Sequence, residues 1–171
     1  LGDNLENLYL AGGIYTGSGN ALDNLILGNT GDNSIYAQGG NDRVRAAQGS
    51  DTVSGGLGDD TYVYYAGDGD DLVIDDGGLD TLHFSADIIQ SNLRLSMDGA
   101  DLVVRFADQA GSVRLQDWAN SEHRIESLQF CGSTRIVDIA TLLTTPPVVN
   151  HAPVAQDDVQ TLDEDNVWSA T

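Results

Sequence analysis

The chain contains no lysine, and its 7 basic residues, all arginine, stand against 27 aspartates and glutamates, leaving a net charge of -20 over 171 residues. So little positive charge excludes nucleic acid and anionic membrane surfaces as natural partners, because either would meet a uniformly negative face. Self-repulsion on this scale opposes compaction unless counter-charge is bound, which makes a polyvalent cation the expected partner. Cysteine is nearly absent too: Cys131 stands alone, cannot form an intramolecular disulfide, and is expected to be a buried, inert thiol. No apolar run approaches the roughly 20 residues of a membrane span, and no signal peptide is visible. The sequence begins in mid-pattern, at LGDNLENLYL, and is expected to be a piece of something longer.

What the chain does have is a period. From Gly28 it reads GNTGDNSIY, AQGGNDRVR, AAQGSDTVS and GGLGDDTYV, four consecutive units of nine residues. The fourth position is Gly31, Gly40, Gly49 and Gly58; the sixth is Asn33, Asp42, Asp51 and Asp60; the eighth is Ile35, Val44, Val53 and Tyr62. The columns run on with short insertions, around Tyr64 to Ala66 and Asp75 to Gly77, through Gly69, Asp71 and Val73 and then Gly78, Asp80 and Leu82. Upstream they include Gly19, Asn24 and Ile26 after two extra residues, for seven units in all.

Each unit reads as a six-residue turn and a three-residue strand whose middle side chain points inward. Glycine suits the turn because positive φ costs it nothing, and β-branched or aromatic residues suit the strand. One unit cannot bury its own apolar face, so units must stack. Two units per coil give a flattened right-handed spiral, an all-β parallel β-roll with a turn along each edge. Asn24, Asp42, Asp60 and Asp80 then share one edge, while Asn33, Asp51 and Asp71 share the other.

Coils about 4.8 Å apart would set these carboxylates against one another, and a cation between them reverses the sign of the interaction. Oxygen ligands alone, without cysteine or histidine, disfavour zinc and copper and suit Ca²⁺ better than Mg²⁺. Between Gly28 and Asp76 lie ten acidic residues and two arginines, which three or four divalent ions would largely neutralise. The strongest sites are expected between Asp42 and Asp60, Asp60 and Asp80, and Asp51 and Asp71, with weaker ones at Asn24/Asp42 and Asn33/Asp51, so about three to five Ca²⁺ ions in all.

These units resemble the RTX nonapeptide, GGxGxDxUx with U a large apolar residue. The resemblance implies Ca²⁺ held by sixth-position aspartates of adjacent coils together with backbone carbonyls of the turns. Carried onto this chain, the carbonyl donors are Gly39, Gly55, Gly56, Leu57, Gly58, Gly69 and Gly78. Two units depart from the pattern at their first positions, with Ala37 and Gln38 in one and Ala46 and Ala47 in the other.

After Leu82 the nine-residue step gives way to alternating stretches, NLRLS, DLVVRFA, GSVRLQDW and RIESLQF, with TLHF before them and turn chemistry in MDGAD and ADQAG. Residues 83–145 are therefore expected to form an antiparallel β cap over the open end of a roll spanning residues 1–82. VDIATLL is expected to close the cap as a short helix, with Trp118 in its core and His123 at its surface. This run resembles the segment that closes RTX blocks in haemolysin-type toxins. Residues 146–171 begin with a proline-bearing linker and then resemble the opening strand of the cadherin-like or Ig-like domains of bacterial surface adhesins.

No nucleophile or carboxylate pair is arranged as a catalytic site requires, so the chain is not expected to be an enzyme. The resemblance implies a secreted or surface-attached extracellular module that folds on Ca²⁺ after type I export. The alternative is a recognition module for a polysaccharide or for another copy of an adhesin, within an adhesin or a polysaccharide-modifying enzyme.

Overall fold

A computed structural model describes residues 1–133 and 136–144, so the linker and adhesin-like start expected at 146–171 lie outside the described residues. Strands alternate between two sheets. The first contains β1 (Asn7–Tyr9), β3 (Leu25–Leu27), β5 (Arg43–Arg45), β7 (Thr61–Tyr64), β9 (Asp80–Phe84), β13 (Ile125–Phe130) and β14 (Ile136–Asp138), in that spatial order. The second contains β2 (Thr16–Asn20), β4 (Ser34–Gly39), β6 (Thr52–Leu57), β8 (Asp70–Ile74), β12 (Ser112–Leu115), β11 (Asp101–Phe106) and β10 (Leu93–Asp98). Pairing is parallel from β1 through β13 in one sheet and from β2 through β12 in the other. The chain thus winds as a parallel β-roll.

The eighth-position residues fill it. Ile26, Ile35, Val44, Val53, Tyr62, Val73 and Leu82 are all 4% exposed or less. Two positions further on, the first residue of the next unit also points inward, which is why Ala37 and Ala46 are buried. In the second sheet the strand continues through positions one to three, so β4 and β6 have six residues rather than the expected three.

Register corrects the insertions. Ser34 pairs with Thr52 and Thr16 with Ser34, a step of 18 that leaves no room for extra residues upstream. Thr52 pairs with Leu72 and Thr61 with Thr81, a step of 20 in both sheets. One insertion, in the turn from Tyr65 to Asp68, lengthens both steps, because every later residue is displaced equally. The second insertion expected at Asp75 to Gly77 is absent: Leu57 bridges Gly77 at the same step of 20.

The antiparallel strands expected at the end of the roll are present, and they continue its two sheets. TLHF forms β9 within the roll, and GSVRLQDW and RIESLQF supply β12 and β13, each parallel to the last coil. Antiparallel pairing is confined to β10–β11–β12 and β13–β14. Aromatic rings close the lumen here: Tyr64 stacks on Phe106 at 5.1 Å between centroids, and Phe84 on Phe130 at 5.4 Å. Trp118 is buried with its Nε1 donating to the Ile125 carbonyl, and His123 is partly exposed beside Asp117. The closing helix, α1, spans Ile139–Thr144, whereas Val137 and Asp138 of VDIATLL belong to β14. Cys131 is exposed rather than buried, because it follows the last residue of β13 in a turn.

Candidate metal centre

The roll brings the sixth-position residues into two columns at the mouths of the strands. Along one edge Asn24 N–H donates to Asp42 Oδ1 at 2.6 Å, Asp42 N–H to Asp60 Oδ1 at 2.8 Å and Asp60 N–H to Asp80 Oδ1 at 2.7 Å. Along the other, Asn33 N–H donates to Asp51 Oδ1 at 2.6 Å and Asp51 N–H to Asp71 Oδ1 at 3.1 Å. All seven side chains are buried. Each aspartate therefore has one oxygen fixed by the coil before it.

The other oxygen is the informative one. Oδ2 of Asp42, Asp51, Asp60 and Asp80 is buried with no hydrogen-bond partner. A buried carboxylate oxygen without a partner carries a large desolvation cost, which native proteins meet with a cation or a proton. In the absence of a cation, burial pushes Asp42 and Asp51 up to about 6, Asp60 and Asp71 up to about 7 and Asp80 up to about 8. The N–H bond that each accepts offsets part of that rise, while neighbouring carboxylates add to it.

Glycine makes the approach of adjacent turns possible. Gly58 has φ of 122°, and a Cβ there would lie 2.1 Å from the Gly40 carbonyl oxygen; at Gly78 it would lie 1.9 Å from that of Gly58. No other residue permits turn backbones to stack this closely. Gly55, Gly56 and Leu57 lie at the end of β6, Gly39 at the end of β4, and Gly78 just before β9, so these five bring their backbone to the turns. Gly56 already accepts the Asp76 N–H with its carbonyl. The Gly69 carbonyl accepts both the Tyr64 hydroxyl at 2.6 Å and the Ser112 N–H at 3.0 Å.

Asn24 and Asn33 stand in the columns but are closed by hydrogen bonds. Asn24 Oδ1 accepts the Asn20 N–H and its Nδ2 donates to Asn20 Oδ1; Asn33 does the same with Asn29. Asn29 Nδ2 reaches in turn to the Ile14 carbonyl at 2.7 Å, and Asn20 Nδ2 to the Leu5 carbonyl at 2.8 Å. A neutral amide thus bridges turn oxygens where an aspartate turn leaves a bare carboxylate.

Three features escape the nine-residue reading. Glu126, the bulge residue of β13, accepts the Asp80 N–H at 2.8 Å and so extends the first column by one more carboxylate. Asp75 is buried and lies near Asp60 and Asp80. A second, exposed ladder runs through position five, with Asn41 N–H on Asp23, Asp59 N–H on Asn41, Leu79 N–H on Asp59 and Ser50 N–H on Asp32. An acidic or amide residue at position five was the available signal for it.

Hard oxygen donors, orphaned buried carboxylate oxygens and glycine-lined turns fit a calcium ion. The family model for the RTX calcium-binding nonapeptide repeat, which spans four copies, matches residues 18–53 and, one unit later, 27–62. No curated protein matches the chain. Residues 18–62, wound into the parallel β-roll, thus match the RTX calcium-binding nonapeptide repeat.

Proposed function

We propose that the chain is a Ca²⁺-dependent folding module of a secreted or surface-attached bacterial protein, with ions seated between successive aspartates of each column. The orphaned Oδ2 atoms of Asp42, Asp51, Asp60 and Asp80 carry this reading. Four such groups cannot be buried as bare anions, and protonating all of them at neutral pH is unfavourable. In low cytosolic Ca²⁺ the acidic turns repel and the chain stays unfolded, as passage through a narrow export channel requires. Outside, Ca²⁺ binds the folded state alone and draws the equilibrium to it by mass action. Extracellular calcium modules bind at about 10⁻⁴ to 10⁻³ M, in the range where such a switch responds.

Far-UV circular dichroism during a Ca²⁺ titration, with Mg²⁺ as control, tests the proposal. A cooperative gain of β signal with Ca²⁺ alone is expected. A complete β spectrum in EGTA at neutral pH would overturn it.

A second reading, recognition of an acidic polysaccharide, draws on one surface groove of about 290 Å³ lined by residues including Arg43, Tyr65, His83 and Asp87. Arg45 is already engaged by Asp68 at 2.9 Å and by the face of Tyr65. Loss of polyuronate binding in Arg43→Ala, with Ca²⁺-induced folding intact, would support this reading over a folding role alone.

A further inference from the structure

In the second sheet the first position of each unit points into the roll, and its occupants are small: Gly19, Ala37 and Gly55. Asp75 breaks that rule. The register that pairs Ser54 with Ile74 and Leu57 with Gly77 puts Asp75 opposite Gly55, at position one of the last unit, where it is 3% exposed. A charged side chain at an interior position that elsewhere in this sheet takes no more than a methyl group needs a physical reason.

Its surroundings supply one. One carboxylate oxygen each from Asp60, Asp75 and Asp80 lie within 4.8 Å of one another. Asp75 is held in place by the Tyr62 hydroxyl, which donates to its Oδ1 at 2.6 Å, and by the Gly77 N–H, which donates to its Oδ2 at 2.8 Å. The other two members each present a buried Oδ2 with no hydrogen-bond partner. Gly55 keeps the space between them clear: a Cβ there would fall 2.2 Å from Asp60 Oδ2 and 1.9 Å from the Tyr62 hydroxyl. Three buried carboxylates converge here, and Asp60 and Asp80 each keep an Oδ2 that no N–H or O–H donor reaches.

We propose that Asp75 is a third carboxylate ligand, making the Asp60–Asp75–Asp80 pocket a cation site of higher charge than the two-carboxylate sites elsewhere on the roll. This rests on the calcium reading of Asp60 and Asp80. The site takes Ca²⁺ more tightly than its neighbours and favours a trivalent lanthanide still more, because affinity of oxygen sites rises with ligand charge. Tyr62, hydrogen-bonded to the third ligand, is the sensitiser for a bound lanthanide.

The test uses the whole chain, titrated with Ca²⁺ by calorimetry and with Tb³⁺ by tyrosine-sensitised emission. Asp75→Asn, which keeps volume and an acceptor for Tyr62, is compared with Asp51→Asn on the opposite edge. The parent should show one binding step about tenfold tighter than the rest. Asp75→Asn should abolish that step and its emission while the weaker steps remain; Asp51→Asn should do the converse. Asp75→Gly, which restores the residue type usual at this position, should repeat the asparagine result and serves if that variant misfolds. Unchanged isotherms in both Asp75 variants would overturn the proposal, leaving Asp75 a hydrogen-bonded acid and the other sites intact. A parent chain that binds no Ca²⁺ would instead sink the calcium reading itself.

Discussion

The turns at Asn24 and Asn33 and the turns from Asp42 onward share one backbone plan and solve the same problem by different means. Both stack glycine-rich backbone and both join the N–H ladder. The asparagine turns complete themselves: Asn20 and Asn29 bridge to carbonyls of the coil before, and Asn24 and Asn33 bond back to them. The aspartate turns are not closed this way: Gln38 donates its amide to the Gly19 carbonyl and Ser18 Oγ of the coil before, yet Asp42 Oδ2 keeps no partner. Position two of the units that carry Asp42, Asp51, Asp60 and Asp80 is Gln38, Ala47, Gly56 and Asp76, and each of these four carboxylates keeps one oxygen without a partner. A neutral hydrogen-bonded plug needs nothing from solution, whereas a bare buried carboxylate makes folding depend on what the solution contains.

Removing Ca²⁺ should separate the two regions most sharply. In EGTA at pH 8, amide protons of Asp42, Asp51 and Asp60, which bond to carboxylates, should lose exchange protection by several orders of magnitude, more than those of Asn20 and Asn29. Equal loss at both sets, by hydrogen-exchange mass spectrometry or NMR, would show that the roll melts as one unit.

Asp60→Ala should have the next largest effect, since Asp60 belongs to two predicted sites. Its Ca²⁺ midpoint for folding should rise about tenfold or more, equivalent to about 1.4 kcal/mol or more. Asp42→Ala, next to an asparagine-closed turn, should shift it less.

Acid should mimic part of the calcium effect in the metal-free chain. The aspartates rise from the ordinary 3.8 to about 6 at Asp42 and about 8 at Asp80, so between roughly pH 4 and 8 the folded state holds protons that the unfolded state has released. That contribution is fully present below pH 3.8 and is lost as pH rises through 6 to 8. Lowering pH from 8 to 5 in EGTA should therefore increase β signal, while in Ca²⁺ it should weaken metal binding through proton competition. Circular dichroism at both conditions checks the two signs.

Converting one region into the other is subtler. Asn33→Asp with Asn29→Gly removes the plug and supplies a carboxylate, and should add about one Ca²⁺ per chain by calorimetry. The smallest effect belongs to Glu126→Gln, which keeps an acceptor for the Asp80 N–H but removes its charge. It should alter the midpoint by less than about threefold, or about 0.6 kcal/mol.

The strict register made the two edges, the stacked glycines and the inward column legible, because period nine with alternate inward side chains leaves one way to stack the units. Asp75 is hard to place because the sequence suggests a second insertion at Asp75 to Gly77, where the register holds none, and this hides its inward position. Glu126 sits 46 residues beyond Asp80 and enters the column only through a β-bulge. No local pattern encodes that. The strands after Leu82 are legible, and so is the antiparallel pairing of β10, β11 and β12, but the parallel joining of β12 and β13 to the last coil is not, since alternation is the same for either direction.

By itself the sequence determined the coil, its acidic edges and the demand for a hard cation, because each follows from a local repeat copied onto neighbouring coils. Tertiary structure alone decided which carboxylate oxygens are left without partners, which asparagines replace an ion, and how β12 and β13 continue the roll. Those outcomes depend on contacts between residues 15 to 46 positions apart, whose geometry only the closed stack of coils sets.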